Sequence, residues 1–442
     1  MSGPAISPRT RRYLSADALF ALLRQRFETV QDPRKQSHLT FTLPDVLASG
    51  LAMFSLKDPS LLAYGERHDD PSLKNVFGIK SIPSDTQFRE ILDPIEVDAL
   101  NEAFADVFAE LQRGGVLEQF RFLGDGYLVA IDGTGYFSSS NVRCENCLEK
   151  KSKDGSTRYA HQAVVAVLIH PKLSVVIPLA VEPIVKQDGE TKNDCERNAT
   201  KRLLKRIKKQ HPMLKLTITE DGLSSNAPHI ADCKEHGYHF ILGAKPGDHA
   251  HLFEQVVDAG DQSRLHVIRT AKIDKKGSRS ETQWAKQIPL NKSNPDLLVN
   301  YVGQSDLTAD GDIKSMFSWV TDLGVTAETV LEIARGGRCR WRIENETFNT
   351  LKNQGYHFEH NYGHGKKNLS TVLLILMMLA FLVDQVQQAC CPLFQAVLAK
   401  LKSRRNLWHR LHSAIESFVF QSYQAILEAI LTDRCRYRTL PP

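Results

Sequence analysis

The 442-residue sequence shows little excess of either charge: 56 lysines and arginines stand against 51 aspartates and glutamates, a formal net charge of +5. Net charge alone therefore gives no reason to expect a polyanionic partner. Cysteines are scarce, eight in all, and they lack the regular spacing of a disulfide framework. With no signal-peptide pattern at the N-terminus, a reducing compartment is expected, the cytoplasm by default. No apolar run reaches the roughly 20 residues a bilayer span needs. The longest, Val372 to Val383, stops at Asp384 and reads as a buried helix, so no membrane is expected as a partner. Internal repeats and low-complexity stretches are also missing, which argues against a solenoid or a largely disordered chain.

What is present suits a large folded protein: 42% hydrophobic and 24% charged residues, over a length that predicts two or three folding units. Basic side chains gather locally. Arg9, Arg11 and Arg12 form one group; Lys201, Arg202, Lys205, Arg206, Lys208 and Lys209 a second; Lys400, Lys402, Arg404, Arg405 and Arg410 a third. Each could meet phosphates, and each is equally explained as a solvated helix face.

Residues 1–120 read as a helical module. Pro44 to Phe54 and Pro94 to Leu117 carry apolar residues at helical spacing, and each opens on a proline suited to a first turn. The texture changes at Leu128-Val129-Ala130-Ile131, a buried strand expected to end at Asp132-Gly133. Gln162 to Ile169 and Leu173 to Ala180, split by His170-Pro171-Lys172, predict a hairpin beside it. The amphipathic stretch Glu196 to Lys209 predicts a helix laid on a sheet, with Asp188 or Asp194 capping it. Leu214 to Thr219 is strand-like and delivers Asp221; a helix at Ala227 to His236 and a strand at Tyr238 to Leu242 follow. This order describes an α/β fold, a mixed sheet with flanking helices. Residues 121–242 would form the first part of that core, 243–323 a β-rich insertion, 324–365 a helix completing the core, and 366–442 a helical C-terminal region.

Aspartates at strand ends, followed by flexible residues, can converge on one edge of a sheet. Asp132 and Asp221 are such a pair, although either one singly is more simply a turn residue. The segment Arg340-Trp341-Arg342-Ile343-Glu344-Asn345-Glu346 offers a third carboxylate. At about 100° per residue, Glu344 shares a helix face with Trp341, Phe348 and Leu351 and is expected to turn toward the sheet, with Arg340 available as its ion-pair partner. Glu346 projects oppositely, four residues after Arg342, and stays open as the alternative. Three acidic ligands without a matching His or Cys set suit Mg²⁺ or Mn²⁺, and two such ions about 4 Å apart can drive phosphoryl transfer.

These motifs resemble those of the insertion-sequence transposases with an RNase H-like DDE core. The resemblance rests on Ile131-Asp132-Gly133-Thr134, Glu220-Asp221-Gly222-Leu223, and Arg340-Trp341-Arg342-Ile343-Glu344 with Leu351-Lys352, and it spans roughly Tyr127 to Asn353. It implies that Asp132, Asp221 and Glu344 bind two metal ions and that Arg340 and Lys352 contact DNA. It also implies a β-rich insertion between the second aspartate and the glutamate, hydrolysis at transposon ends, and attack of the freed 3′-hydroxyl on target DNA. The partners it implies are terminal-repeat and target DNA, bridged by a homodimer, with the helical N-terminal module binding DNA. The chain departs from the family's pattern in two places. Gly337 stands where a tyrosine is usual, and Lys352 comes eight residues after Glu344 instead of seven. A transposase-derived DNA-binding protein without activity, or a metal-dependent nuclease, is the competing reading.

Cys144 and Cys147 have the spacing of a zinc knuckle, and His161 follows. A tetrahedral site needs a fourth donor, and no second cysteine pair stands near, so reduced thiols on a surface loop are expected ahead of structural zinc. His357, His360 and His364 are read as residues for the DNA backbone and not as ligands.

Overall fold

The structure, a computed structural model, describes residues 13–35, 39–185, 195–270 and 279–434. The Arg9, Arg11 and Arg12 group and the expected caps Asp188 and Asp194 lie outside the described residues.

Among the described residues, six helices precede the strands: α1 (Ala16–Glu28), α2 (Leu43–Leu56), α3 (Leu61–Gly65), α4 (Pro71–Phe77), α5 (Asp85–Leu92) and α6 (Val97–Arg113). Local chemistry sets their starts. Ser15, Thr42, Ser60, Asp70 and Ser84 each accept a hydrogen bond from a first-turn backbone N–H, and Ser84 with Gln87 completes a reciprocal capping box. The second expected helix begins three residues late, at Val97, because its proline lies outside it. It also ends early: Gly114 closes α6, Gly115 adopts φ 67°, and Leu117 belongs to a short 3₁₀ turn.

The strands are β1 (Arg121–Phe122), β2 (Gly126–Ser139), β3 (Leu148–Lys151), β4 (Thr157–Ile169) and β5 (Ile177–Ile184), then α7 (Glu196–Gln210), β6 (Leu216–Glu220), α8 (Ala227–Glu235), β7 (His239–Gly243) and α9 (Ala250–Asp261). Strands β8 (His266–Thr270), β9 (Arg279–Asn291), β10 (Asn294–Leu307) and β11 (Ile313–Thr321) follow. All belong to one mixed sheet in the order β3-β4-β2-β6-β7-β11-β10-β9-β8, with β1 beside β2 and β5 beside β4. Pairing is parallel for β2 with β6 and β6 with β7, and antiparallel elsewhere. The β-rich segment thus extends the same sheet through β11 against β7. Asp132 does not end its strand: β4 stays paired with β2 as far as Ser139, so β2 runs seven residues past the aspartate.

The chain closes with α10 (Val330–Cys339), a π-helical turn (Ile343–Phe348), α11 (Asn349–Asn353), α12 (Leu369–Cys390), α13 (Pro392–Leu401), α14 (Arg404–Ser417) and α15 (Tyr423–Thr432). The apolar run expected near Val372 is part of α12, a 22-residue helix long and apolar enough to cross a bilayer. It serves instead as the core helix, buried from Leu369 to Gln387 and packed on α2, α6 and β5. Each of its large aliphatic side chains contributes about 1.5–3 kcal/mol by burial. Its one acid is neutralised inside the core. Asp384 lies 2.7 Å from the Lys57 ammonium and accepts the Tyr356 hydroxyl, while Lys57 sits 4.1 Å from the ring centres of Tyr356 and Trp408.

Candidate active site

The parallel ladder between β2 and β6 brings the two aspartates together. It pairs Tyr127 with Leu216 and Ala130 with Thr219. Two more residues along that register set Asp132 beside Asp221, on strands whose spacing is about 4.8 Å. Asp221 follows directly on β6 and caps the turn Gly222–Ser224, accepting the Leu223 N–H at 2.9 Å. Asp132 accepts the Gly133 N–H at 3.0 Å and pairs with the Arg340 guanidinium at 3.1 Å. Burial raises the Asp132 pKa above the usual 3.8; Arg340 draws it down, and the neighbouring charges of Asp221 and Glu344 push it up. All three sequence-selected carboxylates therefore share one electrostatic neighbourhood.

Glu344 does not turn toward the sheet on the face that regular helical spacing predicts. Glu344 and Trp341 are exposed while Phe348 and Leu351 are buried, so the four do not share a face. The 100° step fails because Ile343–Phe348 is a π turn, in which the Asn349 N–H reaches the Glu344 carbonyl five residues back. Arg340 is bound to Asp132 and not to Glu344. Glu346 lies 3.9 Å from Arg342, one turn earlier, and Lys352 pairs with Glu359 at 2.9 Å.

A fourth carboxylate escaped the sequence reading. Glu196, the first residue of α7, lays its carboxylate so close to Gly133 that a Cβ there would stand 2.6 Å from its Oε2. Burial, then the charges of Asp132, Asp221 and Glu220, raise its pKa above 4.5. No periodicity marks this residue, because its helix start is carried to β2 by the fold. Behind the cluster, buried Glu220 meets His229 at 2.8 Å and accepts the Ser224 hydroxyl at 2.6 Å. Burial opposes the His229 charge, yet Glu220 raises its pKa to about 11.

Beside the carboxylates opens a cavity of about 520 Å³. Asp221, Lys245, Phe317, Trp319, Arg340 and Trp341 line it, and Trp341 is 55% exposed. The arrangement combines a crowded anionic edge, which a cation would relieve, with basic and aromatic groups suited to phosphates and bases.

A family model described as "Transposase DDE domain" matches residues 125–382, more than half of the chain. The chain belongs to this family. Among solved structures, the piggyBac transposase in a synaptic complex with hairpin DNA is similar over 99% of this chain and 85% of that one, at 11% identity and a TM-score of 0.43. No curated protein matches the sequence.

Both departures of this transposase from its family's pattern have structural reasons. At Gly337 a Cβ would stand 2.3 Å from the Trp319 indole, and at the adjacent Gly336 one would stand 2.6 Å from the Phe122 ring. The indole fills the space a larger residue would need, and the glycine pair lets α10 lie directly on the sheet. Lys352 comes after the π turn. Such a turn is a helix with one extra residue, so Lys352 at eight positions falls where a regular helix would place position seven.

A second cluster lies apart from the carboxylates. Cys144 and Cys147, in the loop between β2 and β3, meet His161 of β4 and, unexpectedly, His364. The expectation of thiols on a surface loop fails: Cys147, His161 and His364 are buried and only Cys144 is half-buried.

Several of the clustered basic groups have partners within the fold. Arg202 and Arg206 bind Glu182 at 2.6 and 2.8 Å, and Lys201 binds Asp232 at 3.0 Å, so part of the α7 cluster is spent within the fold. Lys400 and Arg404 are likewise engaged, with Asp433 and Gln388.

Proposed function

We propose that this DDE transposase cuts DNA at the ends of a mobile element and joins the freed ends to target DNA, using two Mg²⁺ or Mn²⁺ ions held by Asp132, Asp221 and Glu344. The observation that carries the reading is the β2–β6 register, which, continued two residues past its last pair, brings Asp132 beside Asp221; the Glu344 charge, which opposes ionisation of Asp132, supports the third ligand. The donor set fits such ions, being all oxygen and crowded with like charge. When bound, the ions supply activation of the attacking water and stabilisation of the leaving oxygen.

The remaining work falls to the chain's own groups. Arg340, now on Asp132, can turn its guanidinium toward the phosphate that approaches the cluster, and Lys352 holds the backbone one step further along the helix. The aromatic wall of Phe317, Trp319 and Trp341 receives bases beside the cut. Hydrolysis breaks the bond between phosphorus and the 3′ oxygen, which leaves as a 3′-hydroxyl. That hydroxyl then attacks a target phosphate and displaces its 3′ oxygen. Two copies of the chain bridge two element ends, and the helical region before β1 reads the terminal repeats, within the cytoplasm.

Four single variants test the site: Asp132→Ala, Asp221→Ala, Glu344→Ala and Glu346→Ala, each assayed for Mg²⁺-dependent end cleavage and for joining of a 3′-hydroxyl end to target DNA. The first three should lose at least 10²-fold in rate and Glu346→Ala should stay within a few-fold. Cleavage without joining would identify a nuclease instead. Retained activity in Glu344→Ala with loss in Glu346→Ala would move the third ligand.

A further inference from the structure

We propose that Cys144, Cys147, His161 and His364 form a closed tetrahedral Zn²⁺ site that fastens the chain following Glu344 to β4 and to the loop leaving β2, the strand that carries Asp132. The inference is independent of the transposition chemistry. The four donor atoms lie within 4.8 Å of one another. The two sulfurs are 3.7 Å apart, the His161 Nε2 lies 3.3 and 3.5 Å from them, and the His364 Nε2 lies 3.2 Å from the Cys147 sulfur. Zinc bonds of about 2.3 Å to sulfur and 2.0 Å to nitrogen put tetrahedral ligand atoms about 3.8 Å (S to S) and 3.5 Å (S to N) apart, edges that match these separations. Two thiols and two imidazoles form a borderline-soft donor set that selects zinc over magnesium, the reverse of the all-oxygen cluster. Four protein ligands leave no open coordination position, which is the mark of a structural and not a catalytic ion.

The surroundings show what the site joins. His161 is paired across the ladder with Phe137 of β2, and the Phe137 ring packs 4.3 Å from the His364 ring. The knuckle also grips the returning chain through its backbone. The Glu145 N–H donates to the Lys366 carbonyl at 3.0 Å, and the Asn146 amide to the Lys367 carbonyl at 3.1 Å. Asp93, which closes α5, accepts the N–H groups of Lys366, Lys367 and Leu369 at 3.0 to 3.1 Å. Three remote parts of the chain therefore meet at this point, and four metal bonds would hold them in register.

The test uses the full chain, purified without a metal-binding tag and dialysed extensively, with metal content read by elemental analysis. One zinc per chain is expected, unchanged in the double variant Asp132→Ala/Asp221→Ala and lost in Cys147→Ser and His364→Ala. Cobalt(II) added to metal-stripped protein should give the visible absorption of a tetrahedral thiolate complex. Stripping should make 140–147 and 354–368 more sensitive to protease. A folded wild-type protein that holds no zinc overturns the proposal, as does zinc retained in His364→Ala or lost with the two aspartates. Should His364→Ala fail to fold, His364→Cys keeps four donors and must hold zinc; a folded His364→Cys protein without zinc overturns the assignment.

Discussion

Asp132 and Glu196 show how burial and crowding prepare a carboxylate for a cation. Both have folded-state pKa values above the ordinary ones. The folded protein therefore keeps protons that the unfolded chain has released, and these groups cost stability progressively as pH rises above about 4. A divalent ion held by the ionised forms would reverse that cost. Thermal unfolding without metal should accordingly show Glu196→Gln melting a few degrees above wild type at pH 7, with the difference vanishing toward pH 4. Mg²⁺ titration should show the same variant binding more weakly. His229 carries the opposite charge but the same sign of linkage. Its pKa is raised to about 11 by Glu220, so its contribution is complete below the ordinary 6.5 and fades as pH climbs toward 11. His229→Gln should flatten the fall in melting temperature between pH 7 and 10; an unchanged slope would rule the pair out as its source. Asp132 and Asp221 were legible in the sequence because each follows an apolar run whose buried strand fixes its place. Glu196 was not legible, since it reaches the cluster only through the docking of α7.

At the scale of elements, the segment from α10 to α11 departs most from what periodicity predicts. The sequence predicts a helix completing the core within 324–365, and the π turn at Ile343–Phe348 interrupts it. Hydrophobic spacing cannot register one extra residue inside a buried helix, so both the face of Glu344 and the offset of Lys352 were beyond sequence reasoning. If the turn is a one-residue insertion, deleting exposed Asn345 should restore a regular helix, keep Lys352 in place, and leave end cleavage within about 10-fold of wild type. Deleting exposed Arg335 from α10 should rotate all that follows by about 100° and abolish it. Gly337→Ala probes the same element from beneath. Its Cβ meets the Trp319 indole, and overpacking of this kind costs about 1–3 kcal/mol. Denaturant unfolding should show that loss, and Trp319→Leu in the same chain should recover part of it. The β-rich segment was likewise recognised as strands from their alternation. That its last strand would join β7 and prolong the catalytic sheet is a long-range pairing with no local signature.

Across the whole molecule, the buried pair of Lys57 and Asp384 ties the end of α2 to the core helix α12. Breaking a buried pair by removing one partner strands the other charge, at a cost of about 3–5 kcal/mol. Asp384→Ala should lose stability by that amount in urea unfolding, and Lys57→Met/Asp384→Leu should recover most of it; a loss below about 1 kcal/mol would show the pair to be solvated. The same scale hides the fourth member of the Cys and His cluster, 217 residues from Cys147. Spacing rules find ligands that are neighbours along the chain, and His364 is brought home only when α12 closes the core.

Lys57 and Asp384 are separated by 327 positions. Helix α2 is buried at every residue but Pro44, packed on α1, α4 and α5 and also on α12, so a large part of its surface has no cover until α12 has been made. During translation the first helices must therefore emerge and wait, adhesive and incomplete, while nearly the entire polypeptide leaves the ribosome. Ribosome-bound chains halted before residue 369 should be digested throughout their N-terminal third, and those halted well past 390 should resist. Early protection would mean that these helices settle alone. On this topology, a copy of the gene cut short before α12 should yield an unfolded chain that the cell's proteases remove, and no partly working product.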